Sequence, residues 1–322
     1  MSDPVVFRAP QGVVRELVTY PIKGCAGMPL ARSQVTPAGL AHDRSFMVVD
    51  PAGVFRSQRR DPRLALVRPM VTADGTRLTL HAPGTDPLDL AVEIDAVRRD
   101  VLLFGARFRG IDQGEAVAGW LSRVLGTPSR LVRVPPEHDR VTDGETPGTS
   151  GYADSCAVHL LSLSTLDLLN ERLVGRGSAP VPMGRFRPNI VVAGWDVPHT
   201  EDRARRLRIG AVDLGYAKLA DRCVVTTVDQ LAGSKTGPEP LRTLADYRRI
   251  DGKIALASST RLSPWVCWVS GTRWLSATGR RRPGRSWSDR SSRRRSAGRR
   301  HGLVIADDRY GGSRDLRAGP VG

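Results

Sequence analysis

The chain has 322 residues, enough for roughly two domains with buried cores, so a minimal binding peptide is excluded. Its first ten residues include an acid and two prolines where a secretory signal needs a basic start, and no later run approaches the ~20 apolar residues of a membrane span. The 4 cysteines form no C-x-x-C pair, which fits neither a zinc site nor a disulfide framework. We expect a soluble, cytoplasmic protein with reduced thiols.

The net charge of +16 is concentrated at the C-terminal end. Residues 257–322 contain 15 Arg and 4 Asp and therefore hold +11 of that charge. The rest of the chain is only mildly basic, which suits an anionic small ligand as well as a polyanion. Nucleic acid is therefore not an expected partner of the folded part, although a basic tail could bind it in a salt-dependent way.

Residues 13–109 consist of short β-type runs separated by turns. An Asp-Gly pair at 74–75 stands between two such runs, a strong hairpin signal because both turn positions need positive φ. A helix follows, with Asp112 as its predicted cap, an apolar face of period 3.6 and Gly126 as its stop. We predict a small antiparallel β-barrel closed by this helix, forming an N-terminal domain over residues 1–132.

A polar, proline-rich stretch at 133–147 predicts a domain boundary or a mobile loop. The second unit has a helix capped by Ser164 and another helix near 240–248, with β-type runs between them that include CVVTTV from Cys223 onward. We assign residues 133–256 to this second domain. The predicted fold class is α+β and β-rich: a small β-barrel domain followed by a second β-barrel domain with a few helices.

The composition changes abruptly after residue 256. Residues 257–322 contain no lysine, four of the six tryptophans, and more than half Arg, Ser or Gly. Two hypotheses explain this composition. One is a disordered basic tail, and the other is an out-of-frame translation of a GC-rich gene, which would leave the second domain incomplete with an unpaired sheet edge.

Cys223 is the candidate for chemistry, because it stands between Arg222 and an apolar run. The fixed positive charge of Arg222 would favour a thiolate, the reactive form of cysteine. From the local sequence alone, an inert buried cysteine is the more frequent case, so the wider context has to decide. Cys25 and Cys156 are interpreted as structural.

Four short motifs and a longer segment occur in a fixed order along the chain. They are YPIKGC at 20–25, HDR at 42–44, GRFRPNI at 184–190, RCVVTTVD at 222–229 and LRTLADYRRID at 241–251. In this order and spacing they closely resemble the MOSC family with its N-terminal β-barrel domain, the group that contains the mitochondrial amidoxime-reducing component and bacterial N-hydroxylated-base reductases. The FRPN and RCxxTTVD pair is the most specific part of the resemblance.

The resemblance implies that Cys223 is the protein ligand of molybdenum in a molybdenum–molybdopterin cofactor. A soft thiolate suits a metal already held by the dithiolene sulfurs of the pterin, and a single protein ligand leaves positions for substrate. Cations would neutralise the phosphate of the cofactor, and an Asn amide could donate and accept at a pterin edge. The residues assigned to cofactor binding on this basis are Lys23, Arg44, Arg187, Asn189 and Arg222.

Three of these assignments have a simpler alternative. Lys23 and Arg44 on their own would more often be surface charges than ligands. Arg187 precedes a proline, so it could simply be an extended, solvent-facing residue at the start of a strand. Gly24 replaces a serine seen in some relatives, which removes one possible phosphate donor.

The resemblance implies reduction of small N-hydroxylated compounds with loss of water. After Cys223 the chain has only Cys267, fewer than the four ligands of an iron–sulfur cluster, so we expect no such cluster and a separate electron-transfer protein as partner. The alternative is a carrier of persulfide sulfur or of the molybdenum cofactor, without reductase turnover. MOSC domains also occur fused to pyridoxal-phosphate-dependent sulfurases, but we find no sulfurase-like domain in this chain.

Overall fold

A computed structural model of the chain describes residues 11–262, 274–276 and 303–306. The prediction for the tail at 257–322 therefore lies largely outside the described residues. Within them the structure is rich in β-strands and has four helices, which confirms the predicted β-rich α+β class. In this part of the chain no helix has the length and hydrophobicity needed to cross a membrane.

The first part of the fold, up to residue 133, is built from β-hairpins around one helix. Its strands are β1 (Val13–Thr19), β2 (Met28–Leu30), β3 (Arg32–Thr36), β4 (Gly39–Leu40), β5 (Phe46–Val49), β6 (Arg68–Val71), β7 (Arg77–Ala82), β8 (Thr85–Ala91), β9 (Arg98–Leu103), β10 (Ala106–Asp112) and β11 (Arg130–Arg133), and its helix is α1 (Glu115–Leu125). Strands β6, β7 and β8 form a meander, and β5, β11, β10 and β9 form a second sheet in that order. The hairpin predicted at residues 74–75 joins β6 to β7 and is confirmed.

Among the described residues, the second part contains twelve strands of two to ten residues and three further helices. Its strands are β12 (Val141–Thr142), β13 (Gly148–Thr149), β14 (Val158–Ser162), β15 (Ile190–Ala193), β16 (Arg206–Ile209), β17 (Val212–Asp221), β18 (Val228–Asp229), β19 (Ser234–Lys235), β20 (Arg249–Ile250), β21 (Lys253–Leu262), β22 (Trp274–Ser276) and β23 (Leu303–Ala306). Its helices are α2 (Leu163–Gly175), α3 (Thr200–Arg203) and α4 (Leu241–Tyr247). The helix predicted near residues 240–248 is confirmed by α4.

The largest sheet joins the two parts of the chain. Its strands lie in the order β2, β1, β15, β14, β21, β17, β16 and β23, and β20 pairs with β21. Strand β1 is antiparallel to β15, with Leu17 opposite Ile190, whereas β14 runs parallel to β15. The first strand of the sequence therefore lies inside the sheet of the second part. This pairing brings residues 20–25, which follow β1, to the junction between the two parts.

Buried apolar side chains fix both sides of this junction. Trp120 of α1 packs in the core of the first part, and Trp195 packs in a second core against the large sheet. Cys25 is fully buried in the first core, where burial raises the pKa of its thiol to about 12. A thiol of this kind stays protonated and inert, in keeping with its interpretation as structural.

Two helix starts differ from the sequence-based expectation. Helix α1 has Gly114 as its N-cap instead of Asp112, whose carboxylate accepts a hydrogen bond from the Gly114 N–H at 2.8 Å. Helix α2 is capped by Ser162 rather than Ser164, because the Ser162 hydroxyl accepts from the Thr165 N–H at 3.3 Å. The backbone path into the helix decides which side chain reaches the first free N–H groups. The local sequence does not determine this path.

Asp112 joins two arginines of neighbouring strands instead of capping the helix. Arg130 donates two hydrogen bonds to it, at 2.8 Å each, and Arg99 forms a further ion pair. Burial alone would raise the pKa of Asp112, but the hydrogen bonds from Arg130, Gly114 and Arg99 outweigh it and hold the pKa at about 2. The ionised carboxylate is therefore a stabilising part of the sheet formed by β5, β11, β10 and β9.

We expect Asp112→Asn to lower the free energy of unfolding by about 2 kcal/mol at pH 7. A carboxyl group whose pKa is depressed in the folded state stabilises it above the unfolded pKa of about 4, and this contribution is lost as the pH falls towards the folded pKa. Urea unfolding of the variant and the parent should therefore show a difference in the free energy of unfolding that narrows as the pH is lowered from 7 to 2.5. Asp100→Asn is the control, because the Asp100 side chain is 78% exposed, and it should change little. A difference in the free energy of unfolding that stays constant over this pH range would contradict the stabilising role of the ionised Asp112.

Strand β21 carries polar side chains where a central strand normally carries apolar ones. It lies between β14 and β17, and residues 258–261 (SSTR) are all buried, at 4% exposure or less. The hydroxyls of Ser258 and Thr260 have no hydrogen-bond partner among the described residues. Ala257 has a φ of 75°, in the left-handed region that favours glycine. The strand thus continues past residue 256, and its buried Arg261 donates to the carbonyls of Thr142, Thr146 and Asp143.

We expect the double variant Ala257→Gly/Thr260→Val to raise the free energy of unfolding by about 2 kcal/mol. Glycine removes the cost of a left-handed alanine, and valine replaces a buried hydroxyl that lacks a partner, each contributing roughly 1 kcal/mol. Denaturant unfolding measures the change. The control is Ala255→Gly in the same strand: Ala255 has no positive φ, so glycine should lower the stability there. If Ala257→Gly alone lowers the stability as Ala255→Gly does, residue 257 is not strained.

Candidate active site

A cleft of about 370 Å³ opens at the junction of the two parts of the fold. Its walls include the loop after β1, the tip of the β9–β10 hairpin and the segment between β17 and β18. Residues from separate segments of the sequence meet there. All six residues that the sequence analysis assigned to the cofactor line this cleft: Lys23, Arg44, Arg187, Asn189, Arg222 and Cys223.

Cys223 lies at the start of a turn and not at the start of a strand. Val224–Thr227 is a 3-10 helix, and the strand predicted over CVVTTV is reduced to β18. Thr226 donates hydrogen bonds from its N and its Oγ1 to the Cys223 carbonyl, both at 3.0 Å, and Thr227 Oγ1 bonds the Val224 carbonyl at 2.8 Å. The strand prediction was wrong because these threonine hydroxyls compete locally for the backbone carbonyls. The turn holds the half-buried cysteine at the wall of the cleft.

Arg59 is a cation in contact with the Cys223 sulfur. Its Nη2 lies 3.6 Å from Cys223 Sγ, where it can donate to an anionic sulfur. Arg59 was not predicted from the sequence, where the neighbouring Arg222 was expected to have this effect. The sequence offers no more than a pair of arginines at 59–60 in a polar stretch, which is common on protein surfaces. Only the tertiary structure brings this guanidinium to the sulfur.

Arg222 is held in place by His159, which the sequence analysis did not select. Arg222 Nη1 lies 3.2 Å from His159 Nε2, and its Nε donates to the Ala220 carbonyl at 3.0 Å. His159 Nδ1 lies 3.2 Å from the Ser258 carbonyl, which can only accept, so Nδ1 carries the ring proton and Nε2 accepts from Arg222. Burial, together with Arg222 and Arg44, lowers the pKa of His159 well below its usual value and keeps the ring neutral.

Arg44 and Arg187 both have a left-handed backbone, with φ of 47° and 56°. Arg187 is therefore not the extended residue that the following proline suggested. A left-handed arginine costs roughly 1 kcal/mol or more, and such strain clusters at functional sites. Both guanidinium carbons lie 4.3 Å from the centroid of the Tyr20 ring, and Arg44 Nη2 donates to the Arg187 carbonyl at 3.3 Å. The shared Tyr20 ring and this hydrogen bond hold two positive charges close together despite the cost of the backbone conformation.

The amide of Asn189 is used entirely within the protein. Its Nδ2 donates to the Val18 carbonyl at 3.0 Å and to the Asp43 carboxylate at 2.9 Å. Its Oδ1 accepts from Arg44 Nη1 at 2.9 Å and from the His159 N–H at 3.1 Å. An amide has two donor hydrogens and two acceptor lone pairs, so none remains for a pterin edge. In this arrangement Asn189 orients Arg44, which differs from the direct cofactor contact expected from the resemblance.

Lys23 is only 4% exposed and forms an ion pair with Asp154 across the cleft. Burial lowers the pKa of Lys23, and the neighbouring carboxylate partly offsets this. Burial alone would raise the pKa of Asp154, but the surrounding cations, Lys23 first, hold it at about 2. Because the Asp154 side chain is 58% exposed, solvent screens the pair and its contribution to folding stability is small. Asp154 was not selected from the sequence.

The lining of the cleft fits an anionic ligand that brings its own metal ligands. Seven cationic side chains and two carboxylates line it. Three of the cations, Arg44, Arg185 and Lys218, pair with carboxylates outside the lining, and the net charge around the cleft remains positive. Arg187 Nη2 is buried and has no hydrogen-bond partner among the described residues, which leaves a donor for a ligand oxygen. The part of the chain that the structure describes has no group of three or more His, Cys, Asp or Glu side chains able to hold a metal ion. A metal bound through one cysteine would therefore need a cofactor to supply its other ligands.

Two family profiles match the sequence. The MOSC N-terminal beta barrel domain matches residues 11–128, and the MOSC domain matches residues 147–280. The second match extends beyond residue 256, where the sequence analysis placed the end of the domain. The chain therefore belongs to the MOSC family and has its N-terminal β-barrel domain as well.

Several proteins of the MOSC family are similar to this chain over most of its length. The chain is 36% identical over 258 residues to the mitochondrial amidoxime reducing component 2 of Rattus norvegicus, a match that covers 76% of this chain and 74% of that protein. It is 35% identical over 254 residues to the mitochondrial amidoxime-reducing component 1 of Homo sapiens, covering 74% of this chain and 73% of that protein. A third relative is the molybdenum cofactor sulfurase of Danio rerio, 31% identical over 256 residues that make up 74% of this chain but 30% of that longer protein. The resemblance stated from the motifs is confirmed.

Proposed function

We propose that the protein binds a molybdenum–molybdopterin cofactor through Cys223 and reduces small N-hydroxylated compounds. The observation that carries this proposal is a half-buried cysteine in the wall of a cationic cleft, with an arginine donor at its sulfur. The names of the amidoxime-reducing relatives supply the substrate class, because an amidoxime is an N-hydroxylated amidine.

Each part of the cleft has a separate task in this proposal. Cys223 would ligate the metal, and Arg44 and Arg187, whose charges are held together by Tyr20, would bind the phosphate of the cofactor. Arg59 would stabilise the negative charge on the ligating sulfur. When bound, the molybdenum centre would supply the two-electron reduction itself.

In this proposal Lys23 would contact the cofactor, as the resemblance implies, and its partner Asp154 would contact the substrate. With a pKa of about 2, Asp154 stays ionised at neutral pH and can only accept hydrogen bonds, for example from an N–OH or NH₂ group. It therefore orients substrate and does not donate protons. Electrons would come from a separate electron-transfer protein, and we keep a cytoplasmic location as part of the proposal.

Metal and pterin analysis tests the proposal directly. The protein, produced in a host that makes the cofactor, should contain about one molybdenum per chain together with an oxidisable, fluorescent pterin. It should convert benzamidoxime to benzamidine when a reduced viologen dye supplies electrons. Protein that carries neither metal nor pterin would refute the proposal.

A carrier function is the second candidate, favoured by the similarity to a molybdenum cofactor sulfurase. Cys223 would then hold a persulfide sulfur, and Arg59 would stabilise the terminal anion. The same purified protein separates the two functions. Cyanide-labile sulfur without molybdenum supports the carrier, whereas stoichiometric molybdenum with turnover supports the reductase.

A further inference from the structure

Phe104 occupies an unusual position at the rim of the cleft. It is the first residue of the two-residue turn between β9 and β10, with a φ of 52°, and Gly105 follows with a φ of 83°. Positive φ at both positions is the pattern of a type I′ turn, where Asn-Gly is the usual pair and a bulky aromatic residue is strained. The Phe104 side chain is nevertheless 44% exposed, so burial does not account for its presence.

The Phe104 ring is part of the cleft and lies close to its chemical centre. Its centroid is 4.8 Å from that of Phe55, at a tilt of 58°, and 4.9 Å from Lys23 Nζ. The guanidinium carbon of Arg59 lies 5.6 Å from the same centroid, and Arg59 Nη2 lies 3.6 Å from Cys223 Sγ. The Arg59 guanidinium therefore contacts both the partly exposed Phe104 ring and the sulfur.

We infer that Phe104, supported by Phe55, selects the substrate by stacking on flat, conjugated N-hydroxylated compounds. This inference rests on the proposed function. A planar ring that stacks on Phe104 would place its polar N–OH end towards Arg59 and Asp154, which are able to donate and accept hydrogen bonds respectively. A small aliphatic compound gains nothing from the aromatic face, so the rim discriminates between the two kinds of substrate.

The variant Phe104→Asn tests the inference, because it removes the ring and builds the favoured Asn-Gly turn. Equilibrium dialysis of the oxidised, cofactor-loaded protein would measure dissociation constants for benzamidoxime and for acetamidoxime. We expect benzamidoxime binding to weaken about five-fold and acetamidoxime binding to stay within about two-fold. The melting temperature should not fall, because the turn loses its strain.

Phe108→Leu is the matched control. Phe108 lies on the same hairpin, with its ring centroid 5.3 Å from that of His138, and it is not part of the cleft lining. It should leave both dissociation constants unchanged. Equal weakening of both ligands by Phe104→Asn, no weakening of either, or a lower melting temperature would overturn the inference. Failure of the wild-type protein to reduce either compound would instead refute the proposed function, because the binding ratio is read without turnover.

Discussion

Cys223→Ser protein is expected to fold normally, to retain little molybdenum and to lose at least ~100-fold in reductase activity. A hydroxyl is a much harder and weaker ligand than a thiolate for a metal held by sulfur, and even changes to residues that support a metal ligand cost roughly 10–100-fold. Metal content per chain, amidoxime reduction and the melting temperature of each protein measure the three parts of this expectation. Because the cysteine is only half-buried, its loss should not unfold the protein.

Cys156→Ser is a closely matched control for this experiment. Cys156 lines the same cleft, but Arg261 Nη2 lies 3.3 Å from its sulfur, and a serine oxygen could accept from the same group. We therefore expect the variant to keep its molybdenum and most of its activity. Equal losses in the two variants, or full activity in Cys223→Ser, would show that the sulfur of Cys223 is not the metal ligand.

Asn189→Ala is expected to lower the free energy of unfolding by about 4 kcal/mol and to weaken cofactor retention. The substitution leaves the Val18 carbonyl and the His159 N–H without their buried partner. It also releases Arg44, which Asn189 Oδ1 holds at 2.9 Å. Urea unfolding gives the first effect, and the molybdenum content of the freshly purified variant gives the second.

Asn170→Ala separates the two effects. Asn170 is 1% exposed, its amide bonds both the N–H and the carbonyl of Val181, and neither residue lines the cleft. It should lower the stability by about 2 kcal/mol and leave molybdenum retention unchanged at a temperature where both variants are folded. If Asn189→Ala and Asn170→Ala retain the cofactor equally well, Asn189 does not position Arg44 for binding.

Arg44 and Arg187 are held in position in the absence of a ligand, so this part of the cleft is preorganised. Their left-handed backbones are costly on their own, and Tyr20 and Asn189 hold them in place. A site prepared in this way loses less conformational freedom when an anion binds. This is the physical reason why residues that never touch the ligand are expected to affect its retention.

The sequence by itself determined the features that depend on local pattern. Turn chemistry located the hairpin at residues 74–75, apolar periodicity located the helix α1, and short β-type runs indicated a β-rich fold. The motifs around Lys23, Arg187 and Cys223 identified the family. These signals are local because hydrogen bonding within a turn and the facing of side chains within one element depend on neighbouring residues.

Only the tertiary structure decided which distant residues meet. Arg59 reaches the sulfur of Cys223 although 164 positions separate them, and the 3-10 turn that presents that sulfur replaced a predicted strand. The insertion of β1 beside β15 brought Asn189 within hydrogen-bond distance of Arg44. Such contacts follow from sheet order and packing, which propensity and spacing do not encode, because each depends on the folded position of a segment far away in the chain.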